Sequence, residues 1–87
     1  MDIKEKIKDI PATSGVYVMK GVNGQVLYIG KAVSLRKRVQ SYFKKSRDKV
    51  SRTDLLISEI HDINYIETTS EAEALILEAS LIKQFQP

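Results

Sequence analysis

The fold is decided by residues 15–30, which read GVYVMKGVNGQVLYIG. Within this stretch, two segments rich in β-branched and aromatic residues, 16–22 and 25–29, flank the pair Asn23-Gly24. Such a pair between two apolar runs predicts a β-hairpin closed by a two-residue type I′ turn. We therefore expect two antiparallel strands joined by this tight turn.

The turn also determines which residues of the two strands face each other. With a two-residue loop, Tyr17 pairs with Gly30 and Met19 pairs with Tyr28, so the two tyrosines lie on one face as diagonal neighbours. Gly30 has no side chain opposite Tyr17 and leaves space beside that ring. Two interpretations follow: the phenols either form part of a polar site or simply pack one strand face.

Apolar spacing predicts the elements around the hairpin, which are helices over residues 3–10, 35–43, 49–59 and 70–84 and a strand over 63–68. Ser34 is placed to cap the second helix, and Ser70 with Glu73 forms a capping box at the last one. That last helix is apolar on nearly all sides, so we expect it to be largely buried. The predicted fold is α/β, a small three-stranded antiparallel sheet (the hairpin plus one strand) flanked by helices in a single domain, residues 1–87.

The composition is that of one small globular domain, with 87 residues, 43% hydrophobic and 29% charged. The chain has no cysteine, which excludes a disulfide framework and a thiolate metal site. No segment approaches the length of about 18 apolar residues typical of a membrane span, and the amino terminus lacks the pattern of a signal peptide. We therefore expect a cytoplasmic, monomeric domain without a membrane partner.

The charges are distributed unevenly along the chain. Residues 31–52 hold nine lysines and arginines against one acid, whereas residues 53–87 hold seven acids against one lysine. Such a cationic segment is typical of a surface that binds a polyphosphate such as DNA, and a solvated helix face is the alternative. The candidate DNA-binding residues are Lys31, Arg36, Lys37, Arg38, Lys44 and Lys45.

One acid of the last helix lies where a charge is not expected. The neighbours of Glu78 three and four residues away are Ala74, Leu75, Leu81 and Ile82. An unpaired carboxylate buried in this apolar stripe would be costly, so Glu78 needs a cation, a hydrogen-bond partner or a proton. A structural ion pair with Arg38 or Lys31 and a metal-binding or catalytic role are both compatible with the sequence.

Several short motifs follow one another in a fixed order. They are GVY at 15–17, LYIGKA at 27–32, LRKRV at 35–39 with YF at 42–43, and EALILE at 73–78 with LIK at 81–83. A chain with these motifs resembles the GIY-YIG nuclease family, most closely its bacterial excision-repair branch, over nearly its whole length. Val16 stands where the family name has isoleucine.

The resemblance implies a metal-dependent endonuclease that hydrolyses a DNA phosphodiester with one divalent cation, Mg²⁺ or Mn²⁺. By position, the implied catalytic residues are Tyr17, Tyr28, Lys31, Arg38, Tyr42 and Glu78, and the motif glycines are Gly15 and Gly30. Glu78 would bind the metal. Tyr17 would take the proton from the attacking water. Tyr28 and Lys31 would orient the water and favour the phenolate form of Tyr17. Arg38 would bind the scissile phosphate, and Tyr42 would position the DNA strand.

The same resemblance implies the biological setting. The substrate would be damaged duplex DNA, presented by the damage-loading protein UvrB and cut on the 3′ side of the lesion. The family continues after Pro87 with a further polar residue, typically asparagine, so we expect an excised amino-terminal domain of a longer protein. The alternatives are a stand-alone, structure-selective nuclease of the same family and a non-catalytic nucleic-acid-binding module.

Overall fold

The computed structural model describes residues 3–43 and 58–86. The elements within these ranges are α1 (Ile3–Lys8), β1 (Gly15–Lys20), β2 (Val26–Ala32), α2 (Leu35–Tyr42), β3 (Asp62–Glu67) and α3 (Glu71–Phe85). The strands form one antiparallel sheet in the order β2-β1-β3, which confirms the predicted fold class. The helix predicted over residues 49–59 lies almost entirely outside the described residues.

Each face of the sheet carries its own hydrophobic core. On the face covered by α1 and α2, hereafter the α2 face, the buried core residues are Ile7, Ile10, Tyr17, Met19, Leu35, Val39 and Ile63. On the opposite face, hereafter the α3 face, the core residues are Val16, Val18, Ile29 and Ala74, with Leu77 and Leu81 packed against them. Because side chains alternate along a strand, consecutive residues of β1 enter different cores. β1 is therefore buried from both sides and forms the rigid centre of the domain.

The hairpin turn differs from the predicted type I′ turn. The N–H of Gly21 donates to the carbonyl of Gln25 at 2.9 Å, and the N–H of Gly24 donates to the carbonyl of Gly21 at 3.0 Å. The loop therefore contains residues 22–24, one more than predicted. Gly24 has a φ of 79° and Asn23 does not have a positive φ, whereas a type I′ turn needs positive φ at both central residues. The prediction of a two-residue loop is wrong.

A bulge in β2 compensates for the longer loop. Lys20 pairs with Val26 but Met19 pairs with Tyr28, so Leu27 is an extra residue without a partner on β1. Without this bulge, every residue of β2 beyond it would point to the opposite face. The predicted pairing at the tyrosines is thus confirmed, although the bulge that produces it was not predicted.

Both predicted helix caps form. The Ser34 hydroxyl accepts a hydrogen bond from the Lys37 N–H, and the Ser70 hydroxyl accepts one from the Glu73 N–H at 3.1 Å. The Glu73 carboxylate reaches back to Thr69, whose hydroxyl donates to it at 2.9 Å. In a standard capping box this carboxylate would accept from the N–H of Ser70 itself.

The last helix is more exposed than predicted. Its exposed apolar side chains are Leu75, Ile76, Ile82 and Phe85. A helix that lies on one face of a sheet buries only one stripe of its surface. Within the described residues, α3 packs chiefly on β1 and β2. The expectation of a largely buried helix is therefore wrong. Across residues 3–43 and 58–86, no helix has the length and hydropathy of a membrane span.

Candidate active site

Three tyrosines from different elements converge on the α2 face, beside the edge strand β2. Tyr17 of β1, Tyr28 of β2 and Tyr42 of α2 have ring centroids 5.9 to 6.2 Å apart in all three pairs. Tyr17 is only 1% exposed, whereas Tyr28 is 38% exposed. The predicted convergence of Tyr17 and Tyr28 is confirmed, and the cluster has one buried member and one that faces solvent.

Arg38 joins the tyrosine cluster through its guanidinium group. Its Nε donates to the Tyr17 hydroxyl at 3.4 Å, and its Cζ lies 5.3 Å from the centroid of the Tyr42 ring. The Tyr17 and Tyr42 hydroxyls are 3.0 Å apart. Arg38 is otherwise exposed, so the remaining N–H groups of the guanidinium are available to an anionic ligand.

Burial controls protonation in this cluster. It raises the pKa of Tyr17 well above the usual value for a phenol, the hydrogen bond with Tyr42 raises that pKa further, and Arg38 opposes both effects. The pKa of Tyr28 is also raised, chiefly by the Tyr42 hydroxyl and then by burial. Tyr17 and Tyr28 are therefore neutral phenols at neutral pH in the unliganded chain, beside a permanently charged arginine.

Lys31 lies at the border between the two faces of the sheet. It pairs with Val16, whose side chain belongs to the α3 face, so alternation places Lys31 on that face too. It lines a small cleft with Glu71 and Ala74, and it also lines the open groove beside Arg38. The cation in contact with Tyr17 is Arg38, so a role for Lys31 in favouring the phenolate stays a prediction.

Glu78 is half-buried on α3 and therefore approaches the sheet from the face opposite the tyrosines. It shares a side of the helix with Ala74 and Leu81, which lie four residues before it and three after it and pack on the sheet. Among the described residues, none forms a hydrogen bond or ion pair with its carboxylate. The structural ion pair with Arg38 or Lys31 that the sequence left open is thus not formed.

The chemistry of Glu78 fits one ligand of a hard divalent cation. No cluster of three or more His, Cys, Asp or Glu side chains that could enclose a metal is present in the described ranges. In these ranges Glu78 is therefore a lone carboxylate at its position and not part of an enclosed metal site. Mg²⁺ commonly binds proteins through one or two carboxylates and keeps water and substrate oxygens in its other positions.

Three of the candidate DNA-binding cations line one open groove at the end of β2 and along α2. The groove-lining residues are Lys31, Ala32, Val33, Ser34, Lys37, Arg38 and Ser41. Ser34 and Ser41 were not among the predicted site residues. Their positions four residues before and three after Arg38, on the same side of a helix, were the signal available in the sequence.

The other candidate DNA-binding residues have different positions. The Nε of Arg36 donates to the carbonyl of Ile10 at 2.8 Å, so this guanidinium ties α2 to the segment that follows α1. Its contact with DNA stays a prediction. Lys44 and Lys45 lie outside the described residues.

The two motif glycines stand where the chain passes close to other atoms. A Cβ on Gly30 would overlap the hydroxyl oxygen and Cζ of Tyr17, and a Cβ on Gly15 would overlap the carbonyl oxygen of Ile66 and lie 2.8 Å from Leu35 Cδ1. The Tyr17 ring therefore occupies the space that Gly30 leaves.

Replacement of Gly30 by alanine is expected to lower the free energy of unfolding by about 1 to 3 kcal/mol, because the new methyl group overpacks a ring that is fixed in the core. Chemical denaturation measures this difference. Gly21→Ala in the same hairpin is the control, since the atoms close to its Cβ belong to the exposed side chain of Gln25, which can move. Equal stabilities of the two variants would contradict the prediction.

Comparison with known proteins identifies the family. Residues 13–87 match the family model of the UvrC-like GIY-YIG domain. The chain belongs to this family. The UvrABC system protein C of Caldicellulosiruptor saccharolyticus is 49% identical over 87 residues, and that of Bdellovibrio bacteriovorus is 49% identical over 86 residues. The chain spans only 14% of the length of each of these relatives.

Solved structures of UvrC domains share the fold of this GIY-YIG domain. The GIY-YIG N-terminal endonuclease domain of UvrC from Thermotoga maritima, bound to its catalytic divalent cation magnesium, is 36% identical with a TM-score of 0.84. The match covers 100% of this chain and 96% of that one. A tyrosine-to-phenylalanine point mutant of the same domain, bound to the catalytic divalent cation, matches with a TM-score of 0.84 at 35% identity, over 100% of this chain and 94% of that one. The family resemblance inferred from the motifs is confirmed.

Proposed function

We propose that this chain is the endonuclease domain of a UvrC-type repair protein and hydrolyses a phosphodiester of damaged duplex DNA with one divalent cation, Mg²⁺ or Mn²⁺. The observation that carries the proposal is the convergence of Tyr17, Tyr28, Tyr42 and Arg38 beside a cationic groove. Cation-bound endonuclease domains among the relatives support it. The finer proposal is that UvrB presents the DNA in the cytoplasm and that the cut falls on the 3′ side of the lesion.

Arg38 is the group best placed to hold the scissile phosphate. Its guanidinium is exposed to solvent on one side and fixed on the other by the Tyr17 hydroxyl and the Tyr42 ring. Charge-assisted hydrogen bonds from a guanidinium to phosphate oxygens are strong and directional. Because the arginine is held before the substrate arrives, it can stabilise the charge that develops on the phosphate in the transition state.

Tyr17 and Tyr42 together can move the proton of the attacking water. Since Tyr17 is a neutral phenol, it can accept a proton only if its own proton leaves at the same time. The Tyr42 oxygen, 3.0 Å away, is placed to receive that proton and to pass it toward solvent. Tyr28 and Lys31, which are both exposed, would orient the water. A shared relay of this kind avoids a free phenolate in the buried site.

Glu78 would hold the divalent cation through its free carboxylate. When bound, the cation supplies Lewis-acid stabilisation to the oxygens of the reacting phosphate. The half-buried position of Glu78 on α3 keeps this carboxylate on a rigid helix, close to the sheet.

The proposed function is tested by incision of a duplex that carries one bulky lesion and has been loaded with UvrB. In millimolar Mg²⁺ we expect a single nick on the 3′ side of the lesion, lost in EDTA and restored when Mg²⁺ is added back. A non-catalytic binding module would bind the same DNA in a salt-sensitive way without cutting it. Binding without any nick, or nicking that survives the chelator, would overturn the proposal.

A further inference from the structure

The groove beside Arg38 runs from the end of β2 along the first turns of α2. Its volume is about 670 Å³, and its charged lining side chains are Lys31, Lys37 and Arg38. Among the described residues, no acid lines it. The groove is therefore a cationic surface that begins at the proposed position of the scissile phosphate and continues beyond it.

We propose that this groove binds the neighbouring phosphate of the strand being cut, with the Ser34 hydroxyl and the Lys37 ammonium group as its contacts. The inference rests on the proposed function, because Arg38 identifies which phosphate is the scissile one. From Arg38 back to Ser34, an α-helix rises by about 6 Å. Phosphates of one strand rise by about 3.4 Å per nucleotide along the duplex axis. Because the strand also winds around that axis, the distance between adjacent phosphates is larger than this rise and is of the same order as the separation of the two positions on α2.

The hydroxyl proton of Ser34 is available to a ligand, whereas that of Ser41 is already donated within the helix. The oxygen of Ser34 accepts the N–H of Lys37, and in the described part of the chain its own proton has no acceptor. The hydroxyl of Ser41 donates to the carbonyl of Arg38 at 2.6 Å, so only its lone pairs remain. A phosphate accepts hydrogen bonds and does not donate them at neutral pH, which selects Ser34 as its partner.

The backbone amides at the start of α2 are not free to bind this phosphate. The N–H of Leu35 donates to the carbonyl of Thr13 at 2.9 Å, and the N–H of Arg36 donates to the carbonyl of Pro11 at 3.0 Å. The next two amides donate to Ser34 itself, one to its hydroxyl and one to its carbonyl. Recognition in this groove therefore depends on side chains, and single substitutions can remove it.

The test compares Ser34→Asp with Ser34→Asn. Both residues are good helix caps, so both variants are expected to fold and to keep α2. The aspartate places a negative charge where the phosphate would lie, and we expect it to weaken binding about 5- to 10-fold relative to asparagine. Fluorescence anisotropy with a labelled duplex in EDTA measures binding without cleavage. Equal affinities of the two variants would overturn the inference.

A second pair of variants checks the lysine. Lys37→Gln is expected to reduce the slope of log affinity against log salt concentration by about 0.9, the loss of one phosphate contact on duplex DNA. Lys83→Gln, an exposed lysine near the end of α3 and outside the groove, should leave that slope unchanged. Equal slopes for the two variants would contradict the contact. Both measurements record binding alone, so their failure is distinguishable from a failure of the proposed function. A protein that binds DNA but never nicks it would overturn the proposed function, and the phosphate contacts of Ser34 and Lys37 would then hold without a scissile phosphate beside them.

Discussion

Glu78→Gln is expected to reduce Mg²⁺-dependent nicking about 100-fold or more, because the amide keeps the size of the side chain but lacks the charge that holds a dication. Affinity for DNA should change little, since the cationic groove lies beside α2. Single-turnover incision of the lesion-bearing duplex measures the loss. Calorimetric titration with Mg²⁺ alone should show no binding to this variant.

The matched control for this substitution is Glu73→Gln on the same helix. It removes one negative charge as well, and glutamine can still cap the helix at that position. Its nicking rate should equal that of the original chain. Nicking retained by Glu78→Gln would exclude the metal role of Glu78.

Stability separates the metal role from a purely structural one. A carboxylate paired inside the fold would leave a buried partner charge when replaced, at a cost of about 3 to 5 kcal/mol. Glu78 has no such partner among the described residues. We therefore expect Glu78→Gln to unfold at the same denaturant concentration as the original chain or slightly above it, and a large loss of stability would indicate a hidden structural contact.

The hairpin shows why a correct prediction can rest on an incomplete reason. Asn23-Gly24 correctly marked the turn, but only Gly24 adopts the left-handed conformation there. The longer loop would have turned β2 over if Leu27 had not been added as a bulge. Both features change the register by one residue, and they cancel at Tyr17 and Tyr28. A bulge depends on pairing with the neighbouring strand, so the pattern within one strand does not reveal it.

The surroundings of individual charged residues were the part that sequence patterns did not predict. Arg36 and Arg38 are two residues apart on one helix, yet one donates to a backbone carbonyl and the other reaches a tyrosine hydroxyl. The hydrogen-bond partner of each arginine is supplied by a residue that is distant in the chain, Ile10 for Arg36 and Tyr17 for Arg38. Likewise, the apolar stripe around Glu78 correctly indicated a half-buried carboxylate. The stripe did not show how much of α3 is buried, because that depends on the small area of the sheet beneath the helix.

Tyr17→Phe is expected to lower nicking about 100-fold or more, the usual contribution of a positioned proton-transfer group. The variant keeps the ring that fills the space opposite Gly30 and removes only the hydroxyl that contacts Tyr42 and Arg38. Tyr65→Phe is the matched control. Tyr65 pairs directly with Tyr17 on β3 but is partly exposed and outside the cluster, so its loss of a hydroxyl should leave the rate unchanged. Equal rates for the two variants would exclude Tyr17 from the proton transfer.

The alkaline stability of the two variants provides a test that does not depend on catalysis. Burial raises the pKa of Tyr17 in the folded chain, so above its ordinary value of about 10 the unfolded chain loses this proton first. The stabilisation is complete below pH 10 and is lost as the pH rises toward the folded pKa, by about 1.4 kcal/mol for each pH unit. Tyr17→Phe should remove this part of the decline, whereas Tyr65→Phe should retain it. Denaturation curves between pH 9 and 11, roughly the range in which unperturbed phenols ionise, measure the difference, and identical slopes would show that the Tyr17 hydroxyl is not held neutral by the fold.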